Sequence, residues 1–215
     1  MNLSSTSCKR PGADPRDRRE APSPVGADRS AEYESALPFP DFLAAVRTNG
    51  DLWRAASRRA VASTAQQARA AALSAGWRLL VLLEDWCLDA VSTVPHVARL
   101  AERAPGLELR VLARDANPAL MDEHLTGGAR AIPVVMVLDA DGVERAWWGP
   151  RPAALQQWVR GPGMQLAKEA RHLEVRRWYA RDRGATTLDE LLATIEDAVA
   201  GAPAAPACCA ALVPG

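Results

Sequence analysis

Cys87 stands four residues beyond the apolar run LLVLL, after Glu84-Asp85-Trp86, and precedes a stretch with helical spacing. A thiol at the joint between a buried strand and a helix has a specific chemistry open to it. The first N–H groups of a helix have no partner within it, and the helix macrodipole places partial positive charge there. Both favour thiolate over thiol, and thiolate is the species that attacks a disulfide. Glu84 and Asp85 lie close by in sequence, and their charges would raise the thiol pKa if they faced it. Trp86 would cover the flank of the sulfur and offer a flat apolar surface to a partner.

The remaining reactive side chains add little. His96 lies nine residues further on, and about 900° of helical rotation sets it opposite Cys87, so no Cys-His pair is expected. His124 closes a short helical stretch before Gly127-Gly128, where a basic residue suits a helix C-terminus. Arg130 reads as a solvated arginine. The four cysteines are Cys8, Cys87, Cys208 and Cys209. Two sequence neighbours in one tail, one in the other and one after a strand do not make a disulfide framework. No CxxC or HxxxH spacing occurs, so neither a metal nor a cofactor is expected.

The elements that must hold Cys87 follow from patterning. RLLVLLE (78–84) is a continuous apolar run of strand length, as a strand buried on both faces requires. DAVSTVPHVARLAERA carries a helical stripe at Val91, Val94, Ala98 and Ala101, with Pro95 inside it to kink the helix. LELRVLAR (107–114) alternates as a strand, and NPALMDEHL (117–125) is a short helix. IPVVMVLDADGVERAWWG holds two strands about an Asp141-Gly142 hairpin, and RPAALQQWV (151–159) returns to helix. Trp147 and Trp148 point to opposite faces of their strand. The order is β-α-β-α-β-β-α, an α/β class with parallel crossovers and one antiparallel hairpin.

Upstream, Pro40 and Asp41 open a short helix, and Asp51 and Thr64 are candidate N-caps of two more. Downstream, KEARHLEVRRWYARDR reads as a charged surface helix with Val175, Trp178 and Tyr179 turned inward. TTLDELLATIEDAVA opens with a capping box from Thr187 to Glu190. The expected organisation is a flexible tail over 1–34, helices over 36–76 packed on the core, the core itself over 77–161, further helices over 162–200 and a flexible tail over 201–215.

Composition bounds the function classes. The 215 residues carry 26 basic and 26 acidic side chains, so no net charge points to nucleic acid or an anionic membrane surface. An apolar fraction of 48% supports a proper core. The N-terminus lacks the apolar segment of a secretory signal, and no run has the length of a membrane span. A cytoplasmic protein without membrane or nucleic-acid partners is the expectation.

Several of these segments, taken in order, resemble the thioredoxin family. Trp86-Cys87 ends the first central strand and opens a helix, and Pro95 has the spacing of the family's helix proline. Asp115-Ala116-Asn117-Pro118 looks like its D-x-N-P segment. Ile132-Pro133 looks like the place of its cis-proline, and Gly142 falls in the hairpin that follows. The resemblance implies a thioredoxin-like core with additional N- and C-terminal helices, Cys87 as the attacking thiol, and Trp86, Ile132 and Pro133 as the docking surface for substrate. It also marks two departures: Ala90 stands where the resolving cysteine belongs, and Val81 where the family has a buried acid.

Three functions are therefore expected in competition. The first is monothiol exchange at Cys87 with protein or low-molecular-weight thiols and disulfides. The second is a redox-inactive module that binds an extended peptide beside Pro133. The third is a reductase whose resolving thiols are Cys208 and Cys209, since the nine or so residues after Val199 can extend roughly 30 Å.

Overall fold

In a computed structural model, the protein is described over residues 25–73 and 76–201. Strand β1 (Leu37–Pro38) is an edge, followed in chain order by β2 (Trp77–Leu83), β3 (Leu107–Ala113), β4 (Val134–Leu138) and β5 (Glu144–Trp148). They form one mixed sheet in the order β1-β3-β2-β4-β5. β2 and β3 run parallel, while β4 pairs antiparallel with both β2 and β5. β2 is central, and Leu79 to Leu83 are all buried. That is why its sequence reads as a continuous apolar run rather than an alternation. Val81 is fully buried within it.

Nine α-helices surround the sheet among the described residues: α1 (Ser30–Ser35), α2 (Phe39–Ala45), α3 (Gly50–Arg59), α4 (Thr64–Ala71), α5 (Leu88–Ala101), α6 (Pro118–Asp122), α7 (Ala153–Arg160), α8 (Lys168–Asp182) and α9 (Ala185–Gly201). α5 carries Pro95 in its interior and packs on β3 with α3, α4 and α9 around it. α9 also packs on β5 through a stripe of Leu188, Leu191, Leu192 and Ile195, each fully buried. A 3-10 turn, Pro162–Gln165, joins α7 to α8. None of these helices is long and apolar enough to cross a membrane.

Several local expectations are corrected. The flexible tail expected over 1–34 does not extend that far: Asp28 bridges to Val143, and Tyr33 and Arg29 are buried. The Arg29 guanidinium donates to Glu144 and Glu123, and Glu144 in turn meets Nε2 of His124 at 2.7 Å. This buried ionic cluster ties a polar-looking segment to the sheet. Gly142, at φ +80°, lets the hairpin turn approach Ser30, whose Oγ would lie 2.1 Å from any added Cβ.

The caps also differ. α3 starts from Asn49 in the left-handed region, not from Asp51. α4 is capped by Ser63, which closes a reciprocal box with Gln66, one residue before Thr64. Thr187 caps nothing: it lies inside α9, fully buried, with its hydroxyl unpartnered among the described residues. Leu37–Pro38 is a strand against β3, where an edge tolerates proline.

Candidate functional site

Three loops converge on Cys87: its own, the turn before β4 and the exit from β5. Cys87 is the N-cap residue of α5. Its Sγ donates to the carbonyl of Ile132 at 3.4 Å, and the Ile132–Pro133 bond is cis. The exit from β5 closes on the same spot, because a Cβ at Gly149 would sit 2.2 Å from the Pro133 carbonyl oxygen. With φ at +137°, that position suits glycine on conformational grounds as well.

The thiol environment departs from the simple helix-terminus argument. Cys87 is only 8% exposed. Burial is the chief cause that pushes its thiol up to about 11, against the pull of the Ala90 amide. The Asp89 carboxylate raises it further, while the Asp89 amide and the Arg151 guanidinium act in the opposite sense. Desolvation therefore outweighs the helix terminus. The thiol's bond to a carbonyl has the same meaning, since only the protonated sulfur donates.

The acids flagged by sequence proximity are occupied elsewhere. The Asp85 carboxylate accepts the N–H groups of Arg47 and Thr48, and Glu84 accepts that of Asp115. Asp85 also anchors the loop from behind: its carbonyl accepts Nε1–H of Trp53, a fully buried side chain on α3. The N-terminal helices thus hold the loop that presents Cys87. Asp89, not singled out from the sequence, is the acid beside the sulfur; it accepts Arg151 Nη2 at 2.5 Å and the Tyr179 hydroxyl at 3.0 Å.

Tyr179 belongs to α8, so the helix expected to be a solvated surface forms one wall of a cleft over the thiol. This cleft has a volume of about 570 Å³ and runs from Trp86, Cys87 and Leu88 to Met164, Val175 and Tyr179. Trp86, 46% exposed, stands at its mouth with the Arg114 guanidinium over its ring. The sequence signals for Asp89, Arg151 and Tyr179 were weak, because each is an ordinary charged or aromatic residue on a different element.

Other expected residues fall as follows. Ala90 is fully buried one helical turn in from Cys87. Ile132 and Pro133 are buried beside Cys87. His96 turns away to meet the backbone of Val61. His124 is fully buried, between the Leu120 carbonyl and Glu144. Arg130 forms a two-pronged pair with Asp122 at 2.6 Å. Cys8, Cys208 and Cys209 lie outside the described residues, as does any contact of the C-terminal thiols with Cys87. Among the described residues no cluster of His, Cys, Asp or Glu could hold a metal ion.

Comparison with known proteins supports the same architecture. No curated protein matches the chain. A protein of unknown function from Pseudomonas aeruginosa, PA1234, solved at 1.5 Å, superposes with a TM-score of 0.65 at 21% identity, over 80% of this chain and 99% of that one. An HIV epitope-scaffold superposes with a TM-score of 0.63 at 18% identity over the same shares of each chain, 80% and 99%. At these identities the likeness is one of fold. The family model described as thioredoxin matches residues 36–193, so it takes in the flanking helices as well as the core. With that match over most of its length, the chain belongs to the thioredoxin family.

Proposed function

We propose that the protein is a binding module of the thioredoxin family that holds an extended peptide beside Cys87 and Pro133, and that it does not turn over disulfides as a reductase. The observation that carries this reading is the state of Cys87: buried, bonded through its proton to the Ile132 carbonyl, and pushed up to about 11. A thiol so held supplies little thiolate at neutral pH, and thiolate is what attacks a disulfide. Ala90 adds a second reason, since no thiol stands one turn away to release a mixed disulfide. What remains at the site is a surface: exposed Trp86, the turn before β4 and the open cleft under α8.

The experiment compares wild type with Cys87→Ser. Peptide binding followed by chemical-shift changes in Trp86 and the loop before Pro133 should agree within about twofold between the two proteins. Wild type should show no dithiol-driven reduction of insulin above background. Catalytic reduction lost in Cys87→Ser would overturn the reading.

A second reading, slow monothiol exchange, draws on the Ala90 and Asp89 amides and the Arg151 cation that face the sulfur. It predicts a stable mixed disulfide at Cys87 with a low-molecular-weight disulfide at neutral pH. A trapped disulfide between Cys87 and Cys208 or Cys209, found by peptide mapping, would instead favour resolution by the tail.

A further inference from the structure

A second cleft, of about 800 Å³, adjoins the one over Cys87 and shares Ser92, Arg176 and Tyr179 with it. Together they make a trough between α5, α3 and α8. Its charge is one-sided. Lys168, Arg171 and Arg176 line it from α8, Arg58 and Arg59 from α3, and Arg183 from the C-cap of α8. None of these six forms an ion pair among the described residues, although the chain as a whole is neutral. The one carboxylate in the lining, Asp89, is already engaged by Arg151 and Tyr179.

The same trough gathers apolar surface. Of the ten large hydrophobic side chains exposed among the described residues, five line it: Leu52, Val61, Trp86, Leu88 and Met164. Unpaired cations interleaved with exposed apolar side chains are complementary to a chain that carries carboxylates and apolar groups in alternation. The protein's own tails do not supply such a chain. Residues 1–24 hold five basic and three acidic side chains, and residues 202–215 hold none of either kind. The charge of the trough therefore points to an occupant from another molecule rather than to either of these segments.

We infer that the trough binds an acidic, amphipathic peptide segment in extended form, with its apolar residues on Leu52, Leu88 and Trp86 and its carboxylates on Arg58, Arg171 and Arg176. This rests on the reading of the groove beside Cys87 as a peptide site and adds the chemical class of its occupant. An extended chain suits the place because its side chains alternate from face to face, which lets one face meet cations while the other meets the apolar wall.

The test uses the full-length protein and three labelled peptides in fluorescence anisotropy: one alternating leucine with glutamate, the same peptide with glutamine, and the same with lysine. The acidic peptide should bind at least about tenfold more tightly than the glutamine one, and weaken as salt is raised. Arg176 and Arg177 are adjacent and both exposed, but Arg176 lines both clefts whereas Arg177 pairs with Glu174. Arg176→Glu, and independently Arg171→Glu, should weaken the acidic peptide about tenfold, and Arg177→Glu less than about twofold.

Equal binding of the acidic and glutamine peptides would overturn the charge preference while leaving the groove as a peptide site. Equal losses for Arg176→Glu and Arg177→Glu would overturn the placement in the trough. Failure of all three peptides to bind would remove the peptide reading of the groove along with this one. An oligonucleotide that displaces the acidic peptide at lower concentration would reassign the trough to nucleic acid.

Discussion

Trp53→Phe tests whether the N-terminal helices hold the functional loop or merely cover the sheet. Trp53 is fully buried, donates Nε1–H to the Asp85 carbonyl at 2.8 Å and packs edge-on against Phe42 at 5.1 Å. Phenylalanine keeps an aromatic ring but lacks the donor, which removes a hydrogen bond worth about 1 kcal/mol net. It also leaves a gap of about 40 Å³, worth about 1 kcal/mol at the measured cost of core cavities, and loses about 1 kcal/mol of burial. The expected loss is about 3 kcal/mol in urea denaturation followed by circular dichroism. Because the bond ends on the residue two before Cys87, alkylation of the native thiol by iodoacetamide should speed up at the same time. A variant within about 0.5 kcal/mol of wild type, with an unchanged alkylation rate, would refute the view that α3 positions the loop.

Further outcomes follow from buried polar groups. Thr187→Val replaces an unpartnered buried hydroxyl by a methyl group of similar size, so it should stabilise the protein by about 1 kcal/mol in the same denaturation; a loss would mean that the hydroxyl has a partner. Glu144→Gln leaves the buried Arg29 without its fully buried counter-charge and should cost about 3 kcal/mol; a change under about 1 kcal/mol would show that the cluster does not anchor the 25–35 segment. The folded thiol keeps its proton up to about 11, whereas an unfolded one loses it near 9.0. The unfolded state therefore binds fewer protons between those values, and stability falls as pH rises through that window by up to about 3 kcal/mol. Burial also holds the phenols of Tyr33 and Tyr179 above their ordinary value. They add to the fall in both wild type and Cys87→Ala, so the difference between the two proteins reports the thiol together with its charge coupling to Tyr179. A Cys87→Ala variant with the same alkaline slope as wild type would contradict this.

The fold was legible where burial dictates pattern. β2 reads as an unbroken apolar run because both of its faces are covered, and the order β-α-β-α-β-β-α from 78 to 159 follows from that strand and its alternating neighbours. Short-range chemistry was harder to read. Ser63 and Thr64 are both competent caps, and each has a glutamine three residues later, Gln66 and Gln67, so local pattern does not separate them; the structure closes the box with Ser63 and Gln66. Thr187 has capping-box spacing to Glu190, but α9 begins earlier and Glu190 instead holds the Trp148 indole and the Ala153 amide. The segment 25–35 looks polar because its buried members include Arg29, whose hydrogen-bonded carboxylates lie far away in sequence, at 123 and 144, with only a longer contact to Glu32 nearby.

The site was half legible. Cys87 and the Ile132-Pro133 turn were placed by motif, and the structure brings them to 3.4 Å. The ionisation of the thiol is not legible locally, since a cysteine at a helix N-terminus suggests thiolate while the covering side chains reverse the balance. Those side chains come from the loop after β5 and from α8, at distances of 62 and 90 residues from Asp89, beyond the reach of local pattern.

The most direct test of the account is the titration of Cys87 itself. The Cβ carbon of a selectively labelled Cys87, followed by NMR as pH is raised, should hold its thiol shift through neutrality and move only as pH approaches about 11. An inflection below about 8, in the range of activated thiols, would contradict it and return the protein to thiol exchange.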